Sequence, residues 1–254
     1  MINIIMRGCN GRMGQVITDI IKKDEDVQIV AGIDLMPLEG RENPYPVYEN
    51  LAECNILADV VIDFSSPKGL TELLSVCRER KLPIVLCTTG FSEEQLAQIE
   101  EAAKEIAILR SANMSLGINT LAKLAEAAAK ILAEAGFDME IVERHHSRKL
   151  DAPSGTALLL ADRMNAALGQ KYHYTFDRSG RRQERDPKEI GISAVRGGTI
   201  VGEHEIIFAG RDEVIELKHT AYSREVFATG AVQAAKFLAG RKAGMYDMRG
   251  VVGA

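Results

Sequence analysis

Ile2-Asn3-Ile4-Ile5-Met6-Arg7-Gly8-Cys9-Asn10-Gly11-Arg12-Met13-Gly14 is the stretch whose reading decides the fold of the N-terminal half. An apolar run that reads as a strand ends in glycines at GxxGxxG spacing, and a helical pattern follows at once. Glycines at such a junction permit a tight turn and bring backbone N–H groups close to a pyrophosphate at a helix N-terminus. The usual dinucleotide spacing is GxGxxG, so the glycines alone also admit a plain strand-to-helix turn. Asp34 decides between the two readings. It ends the next apolar strand, 20 residues beyond Gly14. There a carboxylate accepts hydrogen bonds from the adenosine ribose hydroxyls. Its charge opposes a 2′-phosphate, and Leu35 stands where an Arg would favour one. NADH is therefore the expected cofactor, with NADPH possible.

Outward from this junction, short apolar runs alternate with helical stretches. Strands are expected at residues 2–6, 27–33, 60–64, 84–87 and 106–109, and helices at 12–22, 68–80 and 93–104. Runs apolar on both faces, separated by helices, describe a parallel sheet covered on each side. Ser92 and Gln95 form a capping-box pattern at the third helix. Ligands of such sheets bind beyond the carboxyl ends of the strands. That rim contains residues 64–67, Cys87-Thr88-Thr89-Gly90-Phe91 and Ser111-Ala112-Asn113-Met114. Each segment alone reads as an ordinary loop; together they line one crevice.

The pattern changes near Ser111. An Ala-rich helix is expected at 117–135, a strand at 139–145, and a helix at 155–168 with Ser154 as N-cap and Gly169 just past its end. Residues 172–188 are polar and charge-mixed and read as a long loop, with the arginines at 178–185 in solvent. Strands at 191–196, 200–208 and 214–219, separated by Gly197-Gly198 and Gly210-Arg211-Asp212, read as an antiparallel meander. A final helix at 224–238, with Ser223 as its N-cap, is expected to return to the first domain ahead of a short tail. The boundary is placed near residue 115.

Composition narrows the function. Hydrophobic residues make up 46% and charged residues 26%, as in a globular protein with a real core. A net charge of −5 argues against a nucleic-acid partner. Cys9, Cys54, Cys77 and Cys87 form no CxxC pair, so neither a zinc site nor a disulfide framework is expected. No apolar run reaches membrane-spanning length, and the first residues read as a strand and not a signal peptide. A cytoplasmic chain with no metal and no membrane partner is the expectation.

The densest cluster is Glu143-Arg144-His145-His146-Ser147-Arg148-Lys149-Leu150-Asp151-Ala152-Pro153-Ser154-Gly155-Thr156. His145 and His146 point to opposite faces if both lie on a strand, and no third metal ligand stands at useful spacing. A solvated basic loop is one reading. Against it, Pro153-Ser154-Gly155-Thr156 opens a helix whose free N–H groups and dipole suit a carboxylate. Lys149 and the histidines add cationic donors able to deliver a proton. Arg196-Gly197-Gly198 and Gly202-Glu203-His204 admit plain hairpin structure, and for Glu203 that is the favoured reading.

This cluster resembles the signature E-x-H-H-x-x-K-x-D-x-P-S-G-T of the dihydrodipicolinate reductase family. Residues 8–14, 88–91, Arg196-Gly197-Gly198, Gly202-Glu203-His204 and Ser223-Arg224 also look like family segments, in family order, so the resemblance covers nearly the whole chain. It implies an α/β protein with two domains. One is a Rossmann-like doubly wound parallel sheet over 1–115, completed by 223–254. The other is an α+β substrate and oligomerisation domain over 116–222, with a mixed, largely antiparallel sheet that builds a homotetramer. The implied reaction is reduction of a cyclic dicarboxylate imine by NADH or NADPH, giving tetrahydrodipicolinate in lysine and diaminopimelate biosynthesis. Cofactor contacts are implied at Gly8, Cys9, Asn10, Gly11, Arg12, Met13, Asp34, Cys87, Thr88, Thr89, Ser111, Ala112, Asn113 and Met114. Catalysis is implied at His145 and Lys149, and substrate contacts at His146, Gly155 and Thr156. The chain departs from the family at Cys87, where many members have Gly, and at Ser111-Ala112, commonly Ala-Pro. It also departs at Leu35, an Arg in some members.

Overall fold

A computed structural model describes residues 1–38, 40 and 42–253. In chain order its elements begin with β1 (Ile2–Arg7), α1 (Arg12–Ile21), β2 (Val27–Ile33), β3 (Val47–Tyr48), β4 (Val60–Asp63), α2 (Leu70–Glu79), β5 (Ile84–Leu86), α3 (Glu93–Ala102) and β6 (Ala107–Arg110). There follow α4 (Leu116–Leu132), β7 (Asp138–His145), α5 (Gly155–Ala167), β8 (His173–Thr175), β9 (Glu189–Arg196), β10 (Gly202–Ala209) and β11 (Val214–Ala221). The chain closes with α6 (Glu225–Leu238), β12 (Gly244–Tyr246) and α7 (Met248–Val251). Residues 1–116 with 225–254 form one compact unit, and residues 117–224 a second.

The first unit is a parallel sheet in the order β12-β6-β5-β4-β1-β2-β3. Its strands show why runs apolar on both faces were needed. Ile4, Met6, Val60, Ile62, Val85 and Leu109 enter one core with α1 and α6, while Ile5, Val61, Ile84, Leu86 and Ile108 enter the other with α2 and α3. Successive side chains of a strand point to opposite faces, so each strand feeds both cores. The capping box at α3 is present, with the Ser92 side chain accepting from the Gln95 N–H and Gln95 returning to the Ser92 N–H. The segment after α6 is more than a tail. Met245 of β12 pairs with Ile108, which extends the sheet beyond β6.

The second unit has a mixed sheet in the order β11-β10-β7-β9-β8. Here the expected meander is corrected. β10 and β11 do pair antiparallel, but β7 lies between β10 and β9 and runs parallel to β9. The physical reason is burial. Met139, Ile141, Glu143 and His145 of β7 are all buried, and a central position covers them from both sides. Their face packs on α4 and α5 through Ile118, Leu121, Leu160 and Met164.

The loop reading of 172–188 is also corrected. It contains β8, which runs parallel to β9. Arg178 and Arg185 are only partly exposed and pair with acidic groups. Arg178 Nε donates to Glu189 at 2.9 Å, and Arg185 Nε donates to Glu140 at 3.0 Å. Glu189 is buried, and a buried carboxylate demands such partners.

Candidate functional site

The strand order of the first unit changes direction between β1 and β4, which opens a crevice at the carboxyl ends of the strands. Gly8 sits there with φ +81°, and a Cβ on it would collide with the Phe64 carbonyl. A Cβ on Gly14 would collide with the backbone of Gly8 and Cys9. The glycines thus let α1 start directly beneath its own turn. No side chain caps α1, so its first-turn N–H groups are available to an anion. Both features fit a pyrophosphate-bearing cofactor.

Asp34 lies just past β2 and ties the turn to it. Its Oδ2 accepts from the Asn10 N–H at 2.9 Å and its Oδ1 from the Met36 N–H at 3.0 Å. A carboxylate oxygen has lone pairs to spare for a ribose hydroxyl as well. A cleft of about 540 Å³ beside it is lined by Gly8, Asn10, Asp34, Leu35, Ser65 and Lys68, among others. Leu35 and Met36 are exposed on this rim. Cys9 and Met114 are buried in the core. Burial and the nearby Asp34 push the Cys9 thiol up to about 12. Arg12, Thr89 and Ala112 are exposed, and Met13, Cys87, Ser111 and Asn113 are partly so.

Asp63 and Arg7 went unread in the sequence. Asp63 is buried at the end of β4. Arg7 Nη1 donates to its Oδ1 at 2.9 Å and the Thr88 hydroxyl to its Oδ2 at 2.8 Å. Thr88 Oγ1 also accepts the Ser65 N–H at 3.1 Å. One carboxylate therefore ties together the ends of β1, β4 and β5. The Thr88 hydroxyl is committed to this network.

In the second unit, β7, β9 and β10 converge on a buried carboxylate. Glu143 is fully buried, two residues before His145 on the same strand face. His145 Nδ1 lies 2.6 Å from Glu143 Oε2. Arg196 grips both oxygens of Glu143, each at 2.7 Å, and the Ser154 N–H donates to Oε1 at 2.9 Å. Bidentate, charge-assisted contacts of this kind fix geometry as well as charge. Desolvation opposes ionisation of Glu143, but Arg196 and His145 outweigh it and hold its pKa below the usual value. Burial lowers the His145 pKa, with Glu143 pulling the other way. Arg196, through Glu143, and His204, whose ring meets that of His145, belong to the same cluster, beyond the hairpin role that the sequence also admitted.

Lys149 and Asp151 face each other at the mouth of this cluster, Nζ to Oδ1 at 2.8 Å. Lys149 and the Gly155 N–H both help hold the Asp151 carboxyl below its ordinary range. A carboxylate of the chain thus already lies against Lys149, expected to be catalytic, and the Gly155 N–H, expected to contact substrate. Ser154 caps α5, its Oγ accepting the Ala157 N–H at 3.2 Å. Gly155 and Thr156 follow as the first residues of that helix. His146 lies just past β7 with Nδ1 buried and unpartnered among the described residues. Among the described residues no group of three or more His, Cys, Asp or Glu could hold a metal. No helix among them is long and apolar enough to cross a membrane.

Comparison with known proteins covers both units. Residues 2–114 match the family model described as dihydrodipicolinate reductase, N-terminus, and residues 117–252 match dihydrodipicolinate reductase, C-terminus. The chain is 53% identical to 4-hydroxy-tetrahydrodipicolinate reductase of Caldanaerobacter subterraneus, across 99% of this chain and 98% of that one. It is 50% identical to the enzyme of the same name from Clostridium tetani, across 98% and 96%. Among solved structures it is similar to the dipicolinate-bound dihydrodipicolinate reductase from Paenisporosarcina sp. TG-14. That match has a TM-score of 0.82 and 26% identity over 98% of this chain and 99% of that one.

Proposed function

The chain belongs to the dihydrodipicolinate reductase family, and from that premise we propose that it catalyses the 4-hydroxy-tetrahydrodipicolinate reductase reaction, reducing a cyclic dicarboxylate imine to tetrahydrodipicolinate with NAD(P)H. The observation that carries the reading is the grouping of His145, Lys149 and the first turn of α5 around the buried Glu143–Arg196 pair.

A reduced nicotinamide supplies the hydride when bound at the strand-end crevice. Residues 8–13, Asp34, 87–89 and 111–114 hold that cofactor, with Cys9 and Met114 buried beneath it. Asp34 favours NADH, because its charge repels a 2′-phosphate. In the second unit the Gly155 and Thr156 N–H groups, with the Thr156 hydroxyl, hold one substrate carboxylate at the positive end of the α5 dipole. His146 helps hold the substrate. The 4-hydroxy substrate loses water to give a C=C–C=N system, and Lys149 donates a proton to it as electrons reach it. His145 relays that proton, with Nδ1 engaged by Glu143 and Nε2 left to exchange it.

The chain assembles as a homotetramer in this reading. Val195 and Val214 are exposed on strands of the second sheet and support a subunit contact there. The free cysteines fit a reducing compartment, the cytoplasm.

The test is NADH oxidation with the fresh product of dihydrodipicolinate synthase. Oxidation is expected, and Lys149→Ala is expected to lower kcat by about 10²–10⁴-fold while NADH binding persists. NADH binding without oxidation would overturn the reading in favour of a nucleotide sensor. Near-full turnover by Lys149→Ala would overturn the role of Lys149.

A further inference from the structure

His204 has no part in the reaction as written, yet it is 4% exposed and touches both halves of the second unit's cluster. On β10 it stands opposite His219 of β11 and Glu143 of β7. Its Nε2 lies 3.1 Å from Ser154 Oγ. Its ring meets the His145 ring edge-on, with centroids 5.1 Å apart and planes at 73°.

Counting hydrogens fixes the direction of the contact. Ser154 Oγ already accepts the Ala157 N–H and has one hydrogen to give. His204 Nδ1 is buried with no partner among the described residues. Were the His204 proton on Nε2, both the Ser154 hydrogen and the Nδ1 lone pair would be stranded. With the proton on Nδ1, only that N–H is stranded. Each buried unsatisfied group is costly, so the second arrangement holds. The Ser154 hydroxyl therefore donates to Nε2. Burial, with the neighbouring His145, keeps His204 neutral down to about 3, so Nε2 retains its lone pair.

We propose that His204 is a positioning residue for the dicarboxylate, setting the first turn of α5 through the Ser154 hydroxyl and the plane of the His145 ring through its own edge. A serine cap left alone can rotate and turn its hydroxyl toward an incoming carboxylate. Held by His204, it keeps its lone pair on Ala157 and its hydrogen inward. The Gly155 and Thr156 N–H groups then face the ligand in one geometry. This inference rests on the reaction proposed above.

The experiment is calorimetric binding of dipicolinate to the NADH-loaded full-length enzyme, beside steady-state kinetics. His204→Phe keeps a ring against His145 but has no acceptor. Ser154→Ala removes the donor, and His204→Gln restores an acceptor. His204→Phe and Ser154→Ala are each expected to weaken dipicolinate roughly tenfold, the scale of one lost hydrogen bond. The double variant should be no weaker than either single one, because both break the same link. His204→Gln should recover most of the loss, KM should rise more than kcat falls, and NADH affinity should hold. Unchanged dipicolinate affinity in His204→Phe, a lowered melting temperature as the sole effect, or additive losses would each overturn the inference. If His204→Phe fails to fold, Ser154→Ala and His204→Gln carry the same test. Wild-type enzyme that binds NADH but not dipicolinate would overturn the proposed reaction as well, which separates the two failures.

Discussion

Glu143 Oε2 and His145 Nδ1 lie 2.6 Å apart on one face of β7, with both Glu143 oxygens also gripped by Arg196. The carboxylate fixes the histidine's ring and favours its protonated form, against the desolvation that lowers its pKa. Glu143→Gln keeps the shape but removes the charge. Desolvation then acts unopposed, together with Lys149 and Arg196, and the His145 pKa moves further down. The expected outcome is a loss of kcat of about 10²-fold, the scale of a misplaced acid–base group. The limb of the kcat–pH profile set by His145, the alkaline one for a group that supplies a proton, should move to lower pH. An unchanged limb would show that His145 titrates outside the reaction. Breaking a buried pair also costs about 3–5 kcal/mol, so the profile belongs well below the melting temperature.

Asp34 serves two masters, the Asn10 N–H of the glycine turn and, in the proposed reaction, a ribose. Asp34→Ala would loosen the turn and weaken both cofactors. Asp34→Asn is the cleaner probe, because it keeps an acceptor and removes the charge. The expected result is a higher KM for NADH and a lower KM for NADPH, since repulsion of the 2′-phosphate is gone. Equal changes for the two cofactors would remove Asp34 from the choice between them.

Asp151 occupies two groups that the proposed reaction also needs, the proton donor Lys149, with Nζ at 2.8 Å, and the Gly155 N–H that would hold a substrate carboxylate. It is well exposed, so its contribution to stability is small, as for surface ion pairs generally. A dicarboxylate must displace it against like-charge repulsion. Asp151→Asn should therefore bind dipicolinate a few-fold more tightly, with the melting temperature hardly changed. Weaker binding would mean that Asp151 orients Lys149 for the ligand and does not compete with it.

The parallel sheet and its glycine turn were legible because the period of two is local. Ile4, Ile5 and Met6 announce two covered faces within three residues. Glu143 was legible by the same rule, two residues before His145, yet it was read only as part of a signature. Arg196 and His204 were not. Their contacts depend on β7 lying between β9 and β10, and sheet order is not written in the period of any one strand. Arg178 and Arg185 were misread for a related reason. A polar loop looks solvated until the buried acid that it covers, Glu189, is placed beneath it. β12 was missed because a strand of Gly-Met-Tyr is too short to carry a pattern.

His204 also makes the fold sensitive to acid. An unfolded histidine titrates near 6.5, whereas burial and His145 lower His204 to about 3. Between those values the unfolded chain binds a proton that the native chain refuses. Stability is therefore fully present above about pH 6.5 and falls with pH by about 1.4 kcal/mol per unit for this one group. His145 and His219 are lowered too and act with the same sign. The charged neighbours that face His204 are His145, Glu143, His219 and Lys149, and of these only Glu143 favours its protonation. The Glu143 carboxyl is itself held low, so it remains ionised through the upper part of this window. Denaturation measured from about pH 7 down to about pH 5 should thus show a steady loss of stability, and His204→Phe should remove about one proton's worth of that slope. The variant can be less stable at neutral pH, for it loses the Ser154 bond, but its curve against pH must be flatter. An equal slope in wild type and variant would mean that His204 takes up its proton in the native state, and that the Ser154 hydroxyl is held by something other than a neutral Nε2.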